Sequence, residues 1–292
     1  MCEPWVGDVE QALGVGMEDL QRLSGGDFAA AYRATLSNGR HVFLKTHADP
    51  PPGFFSTEAA GLAWLVDAGT ARVARVLGFS DDPPWLALEY IPLGRGPAGD
   101  EAAFGRALAG LHASGAACFG REDRRTTGSQ AVPNTPCGDW PSFYAECRLQ
   151  PLARRARDAD ALPIRCIAAL ERVTNTLGEV GAGDEPAARL HGDLWAGNRV
   201  VDGQGRSWLI DPAAHGGHRE FDLAMMRLFG GFEAAAFDAY QEMTPLQPGW
   251  RERVPLHQLA PLVVHAIKFG GGYVGAVEEA LRGLGAFAAD RR

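Results

Sequence analysis

Leu190 to Phe232 reads LHGDLWAGNRVVDGQGRSWLIDPAAHGGHREFDLAMMRLFGGF, and this stretch decides the fold. Asp193 and Asn198 stand five positions apart, and Arg199-Val200-Val201 reads as a strand directly after them. Asp202-Gly203 predicts a hairpin turn and Ser207-Trp208-Leu209-Ile210 a second strand, with Asp211 at its end. An acid and an amide on one loop, followed by an acid at a strand end, form the donor set that phosphoryl transfer requires. One carboxylate orients the attacking hydroxyl and receives its proton, while other oxygens hold a hard cation against the leaving phosphates. Asp193 fits the first task; Asn198 and Asp211 fit the second, as ligands of Mg²⁺. Each alone would read as a turn or cap residue, but the series H-G-D-x-x-x-x-N followed by I-D-P is not explained that way.

Upstream, Trp5, Val6, Val9, Ala12 and Leu13 recur at helical spacing, predicting a helix that ends near Gly14. A strand, a turn at Gly25-Gly26, a strand, an Asn38-Gly39 hairpin and a third strand carrying Lys45 come next. Gly25 and Gly26 would let backbone N–H groups approach phosphate oxygens, although an ordinary hairpin turn explains them equally well. Lys45 sits within the apolar run Val42-Phe43-Leu44, and Glu58 lies on the helix expected from FFSTEAAGLAWLV. An inward lysine needs a partner, because an unpaired buried ammonium is costly, and Glu58 can supply one. Such a pair holds an amine against nucleotide phosphates. The alternative has both residues facing solvent. Two further strands, Ala71 to Phe79 and Trp85 to Ile91, complete a five-stranded sheet with one main helix, and backbone groups of Glu89, Tyr90 and Ile91 would then face an adenine edge. The expected fold is α+β and two-lobed: an antiparallel-sheet nucleotide-binding lobe over residues 1–91 and a larger, mostly helical catalytic and acceptor-binding lobe over 92–292.

Within 92–292, helices are predicted over Asp100 to His112, from Phe143 onward with Arg148, Arg154, Arg155 and Arg157, over 163–180 and over 275–287. The arginine run reads as a solvated face. Gly120 to Asp139 reads as a long loop. His112, His191 and His265 are each read as packed, hydrogen-bonded histidines. His215 and Arg219 follow the second acid and could line an acceptor pocket or brace the loop. Trp195 is either a platform for a sugar face or a core indole.

The chain has 292 residues, a net charge of −8 and 46% hydrophobic residues, ample for a buried core. The negative balance argues against nucleic acid and anionic membrane as partners. No run is apolar and long enough to span a bilayer, the start MCEPWVGDVE lacks a leader pattern, and five irregularly spaced cysteines suggest reduced thiols, so the cytoplasm is the expected compartment.

The HGDLWAGN and IDPAAHGGHREFDLAM segments resemble the fructosamine kinase (ketosamine 3-kinase) family, a branch of the aminoglycoside phosphotransferase and protein-kinase-like fold. The resemblance extends to Leu23-Ser24-Gly25-Gly26-Asp27, Phe43-Leu44-Lys45-Thr46, Phe55 to Glu58, LFGGF at 228–232 and HAIKFGGGYV at 265–274. It implies ATP- and Mg²⁺-dependent phosphorylation of the 3-hydroxyl of a ketosamine, either a small sugar-amine adduct or a glycated protein amine, leading to deglycation. Asp193 would be the base, Lys45 the phosphate clamp, and Glu58 its partner. His191 and Asp222 would support the catalytic loop, and Trp195, His215, Arg219 and His265 are candidate acceptor contacts. Two other readings are an aminoglycoside- or choline-type kinase of the same fold, and a nucleotide-binding pseudokinase. The second is disfavoured because Lys45, Asp193 and Asp211 are all retained.

Overall fold

The computed structural model describes residues 3–23, 29–94, 99–124, 126–127, 131–179 and 183–286. Gly25 and Gly26 lie outside these residues. The chain forms two compact units, Met1–Asp100 with Gly197–Pro212, and Glu101–Ala196 with Ala213–Arg292. The first unit runs to Asp100 and takes in the later segment that bears Asn198 and Asp211.

In the first unit, helix α1 (Val6–Leu13) ends where Gly14 turns into left-handed backbone at φ 67°. Strands β1 (Met17–Leu23), β2 (Ala30–Leu36), β3 (His41–Thr46), β4 (Val76–Asp81) and β5 (Pro84–Glu89) form one antiparallel sheet in the order β1-β2-β3-β5-β4. β3 is therefore central: Lys45 pairs with Ala31 on one side and Leu86 on the other. The predicted fourth strand starts late, because residues before Val76 pair elsewhere. Val73 bridges Leu209, and Leu209 N–H donates to the Arg72 carbonyl at 2.8 Å.

Helix α2 (Phe54–Val66) buries Phe55, Leu62 and Leu65 completely, each contributing roughly 2 kcal/mol. Asp81, at the end of β4, accepts from the Phe55 and Ser56 N–H groups at 3.1 and 3.2 Å, so a sheet residue caps the helix. The hairpin Arg199–Val201 with Ser207–Leu209 is knotted by Asp202, which accepts from Gln204 and Arg206 N–H, Arg206 Nε and Trp208 Nε1 at 2.7–3.0 Å. Burial opposes ionisation there, yet the Trp208 and Arg206 donors hold this carboxyl well below the usual range.

The second unit contains α3 (Glu101–Ala113), α4 (Trp140–Tyr144), α5 (Gln150–Asp158), α6 (Ile164–Thr176), α7 (Glu220–Leu228), α8 (Ala234–Met243), α9 (Trp250–Phe269) and α10 (Gly272–Gly283). Phe143, Tyr144, Ile167, Leu170, Leu256 and Val263 lie in its core. At Gly105 an added Cβ would meet the Ala236 carbonyl at 2.0 Å, so glycine is what lets α3 approach α8. A π-helical turn, Ala145–Leu149, joins α4 to α5. That turn corrects the arginine run: Arg154 and Arg157 are exposed, but Arg148 is turned inward and buried. Its guanidinium donates to the Pro133 and Cys147 carbonyls and to Asn134 Oδ1. Among the described residues no helix is long and apolar enough to cross a membrane.

Candidate active site

In the first unit, Lys45 Nζ donates to Glu58 Oε1 at 2.8 Å and to Asp211 Oδ1 at 2.5 Å. The central strand aims the amine off the sheet, α2 carries Glu58 to it, and the hairpin delivers Asp211. Burial by itself would pull the Lys45 amine down, but Glu58 and Asp211 outweigh it and hold the amine above the ordinary lysine range. Burial pushes the Glu58 carboxyl above its usual range against the pull of Lys45, and the charge of Asp211 adds to the push. Two carboxylates therefore share one ammonium. The group carries one surplus negative charge, which favours a further cation.

Asp211 has the backbone of a left-handed residue, at φ 55°. Strain of this kind persists only where the surroundings impose it, and it clusters at functional sites. The Ile210 N–H donates to the Asn198 carbonyl at 3.1 Å, and Asn198 Nδ2 donates to the Asp211 carbonyl at 3.3 Å, fixing the amide orientation. Asn198 is buried, whereas the Asp211 side chain is 38% exposed. An amide and a carboxylate oxygen on a negatively charged group form a donor set that fits a hard divalent cation.

In the second unit, the loop bearing Asp193 is held through its backbone. Asp222, fully buried on α7, accepts from His191 N–H at 2.7 Å and Gly192 N–H at 2.9 Å. His112 of α3 meets the same carboxylate at 3.2 Å through Nε2, and its Nδ1 meets the Tyr240 hydroxyl at 2.8 Å. Burial works against the Asp222 charge, and His112 with the Gly192 N–H more than offsets it, so the carboxyl stays below its usual range. His191 is buried, and its Nδ1 accepts from the Asp193 N–H at 3.2 Å. Gly192 adopts φ 82°, and a Cβ there would meet the Ala213 carbonyl at 2.1 Å. Asp193 itself is half-buried, and its carbonyl accepts from Trp195 N–H at 3.1 Å.

The four candidate acceptor contacts separate into two pairs. His215 is buried, its Nδ1 bonds the Ala213 carbonyl at 2.8 Å, and burial together with nearby Arg148 pulls it down to about 3, so it is neutral and braces the loop. Arg219 grips Glu185 through two nitrogens at 2.6 and 2.7 Å and donates to the Thr244 and Pro245 carbonyls, a structural clamp. Trp195 is 39% exposed and lies edge-on to Phe229, and His265 packs against that same ring. In the first unit, Glu89 closes β5 and accepts from Arg75 N–H at 2.8 Å, Tyr90 packs edge-on to His41, and Ile91 is half-buried.

One other group among the described residues brings potential metal ligands together: His218, Glu220 and His257, all buried. Arg253 already grips Glu220 at 2.9 and 2.5 Å, and His218 Nδ1 accepts from the Glu220 N–H, so this group reads as a core ion-pair cluster. A cavity of about 710 Å³ lies among Ala116–Phe119, Pro136–Asp139 and Gly183–Ala187 and contains none of the expected site residues.

A central-strand lysine paired with a helix carboxylate, an acid-bearing loop pinned by a buried aspartate, and a second acid at a strand end define a protein-kinase-like phosphotransferase fold. The same fold is seen in a choline kinase from Streptococcus pneumoniae, with a TM-score of 0.61 at 15% identity over 96% of this chain and 97% of that one. Within that class, residues 7–286 match the fructosamine kinase family, and the chain belongs to it. It is similar to a structure from Thermobifida fusca named for fructosamine-3-kinase, with a TM-score of 0.89 and 36% identity over 97% of this chain and 99% of that one. It is 33% identical to the chloroplastic protein-ribulosamine 3-kinase of Arabidopsis thaliana, over 79% of this chain and 72% of that protein.

Proposed function

We propose that the protein transfers the γ-phosphoryl group of ATP to the 3-hydroxyl of a ketosamine, the adduct of a sugar with an amine, and so initiates deglycation. The observation that carries this reading is the Lys45–Glu58–Asp211 group in a chain of the fructosamine kinase family. Lys45, fixed by Glu58, clamps nucleotide phosphate, and backbone groups of Glu89 to Ile91 receive the adenine edge. Asn198 and Asp211 hold Mg²⁺, which when bound neutralises charge on the transferring phosphates. Asp193 accepts the proton of the attacking hydroxyl. Asp222 and His191 keep the Asp193 loop in register, and Trp195 with His265 contacts the acceptor. The first unit serves the nucleotide and the second the acceptor. The four described cysteines, Cys118, Cys137, Cys147 and Cys166, are free thiols, which suits a reducing cytoplasm.

The test is turnover of purified protein with ATP and Mg²⁺ on ketosamines carrying different sugars, plain ketoses, choline and aminoglycosides, with the phosphorylated carbon assigned by NMR. Phosphate at C3 of ketosamines is expected; turnover confined to aminoglycosides or choline would overturn the reading. Asp193→Asn should retain the fold while turnover falls on the order of 10² to 10⁴-fold. Near wild-type turnover in that variant removes Asp193 from the mechanism.

A further inference from the structure

Five rings meet in the second unit next to the Asp193 loop. Trp195 lies 6.0 Å from Phe229, Phe229 lies 5.2 Å from His265 and 6.5 Å from Tyr273, and Phe269 lies 5.7 Å from His265 and 5.9 Å from Tyr273. They come from four separate places: the loop after Asp193, the end of α7, the last turn of α9 and the first turn of α10. Rings gathered this way are ordinarily core, yet Trp195 and Phe229 are each 39% exposed and Phe269 is 53% exposed. Leaving that much aromatic surface in water is unfavourable unless something covers it.

The backbone is arranged to make the cluster. Between Phe269 and Tyr273 the chain turns through Gly270 at φ 60° and Gly271 at φ 56°. Nothing lies within 4 Å of a Cβ built on Gly270, so glycine is needed there for its backbone conformation rather than for space. The turn brings Tyr273 back to 5.0 Å from His265, one helical turn before Phe269. His265 is held in place by its Nδ1–H, which donates to the Pro261 carbonyl at 2.7 Å.

The inter-ring angles lie between 40° and 75°. One flat ring is a stacking platform for a sugar face. Several tilted rings around His265 instead offer both faces and edges along one partly exposed patch, and an exposed ring face attracts a compact cation. A ketosamine carries such a cation: its amine, on C1, is protonated at neutral pH and is separated from the reacting oxygen by three carbons. Trp195 lies two residues from the proposed base. We propose that Phe229, Phe269 and Tyr273, with Trp195, form an aromatic box that takes the ammonium group of the acceptor and selects a ketosamine over the free ketose. The proposal rests on the functional reading above for the identity of the acceptor.

Tetramethylammonium chloride is titrated into the full chain and followed by tryptophan fluorescence and methyl saturation transfer, with tert-butanol as the neutral probe of similar size. Saturable binding of the ammonium is expected, with none of the alcohol. It should weaken in Phe269→Leu and in Tyr273→Leu, which keep apolar surface without ring faces, and return in Phe269→Trp. Equal responses to both probes, or unchanged ammonium binding in the leucine variants, overturn the box. In steady state, Phe269→Leu should raise KM for a ketosamine about 5- to 20-fold with kcat held, and leave KM for a 1-O-alkyl ketose ether unchanged. Equal rises for both acceptors overturn it as well. The titration requires no turnover, so a wild-type protein inactive on ketosamines refutes the functional reading while the titration still decides the box.

Discussion

Two of the carboxylate systems among the described residues, one in each unit, are built on opposite principles. In the second unit, the single charge of Asp222 is met by two backbone N–H groups and the His112 imidazole, itself anchored on Tyr240. In the first, Glu58 and Asp211 divide one ammonium between them. A fully satisfied carboxylate fixes a loop and asks for nothing more; an undercompensated pair is poised to take a cation. On the proposed reading, the difference separates support from chemistry.

Asp211→Ala breaks the undercompensated side. Turnover should fall on the order of 10³-fold or more and MgATP affinity should drop, while thermal stability stays near wild type because the remaining Lys45–Glu58 pair is balanced. Normal binding of MgATP by that variant, measured calorimetrically, would refute the metal assignment. Asp222→Ala breaks the satisfied side and leaves two loop N–H groups and His112 without their acceptor. It should cost about 3–5 kcal/mol in chemical denaturation, with activity and stability lost together. A variant equally stable but inactive would move Asp222 from support to chemistry.

The smallest expected effect is on the pH profile. His215 is held near 3 in the folded chain, below its ordinary 6.5, so the unfolded state takes up a proton that the native state refuses. Its contribution is present above 6.5 and is lost as pH falls toward 3, with a slope of about 1.4 kcal/mol per pH unit for one proton. His257 is depressed by burial and acts in the same direction. Burial raises the Glu58 carboxyl, so between pH 6.5 and 4.5 it takes up a proton more readily than an ordinary glutamate and its pairing with Lys45 weakens. His215→Gln should flatten the stability slope over that window in denaturation curves taken across pH; an unchanged slope removes His215 as its source.

Much of this contrast is legible in the sequence, but unequally. Spacing alone places Asp193, Asn198 and Asp211, because loop, hairpin and strand end are local structures with local turn signals. The Lys45–Glu58 pair follows from the cost of an inward lysine on a central strand. The partners of Asp222 are not legible: His112 is 110 residues away and Tyr240 is 128 from His112, and helical periodicity reports which face is buried without saying what it meets. Arg148 and Arg219 illustrate the same limit. One is turned inward by a π-helical turn that no pattern announces, and the other is captured by Glu185, 34 residues upstream. In the sequence Phe229 and Tyr273 stand out only within LFGGF and HAIKFGGGYV, segments that carry the family resemblance.

The left-handed backbone at Asp211 also constrains how this protein can change. Glycine occupies that region freely, asparagine and aspartate at less cost than other side chains, and asparagine and glycine are each one nucleotide from aspartate. Both neighbours tolerate the backbone and remove the charge. With the metal role proposed for Asp211, loss of catalysis with retention of the fold is within a single mutational step at this position. Most other replacements would incur backbone strain as well as the loss of the charge, so a descendant that abandons the chemistry but keeps the architecture has its shortest route here.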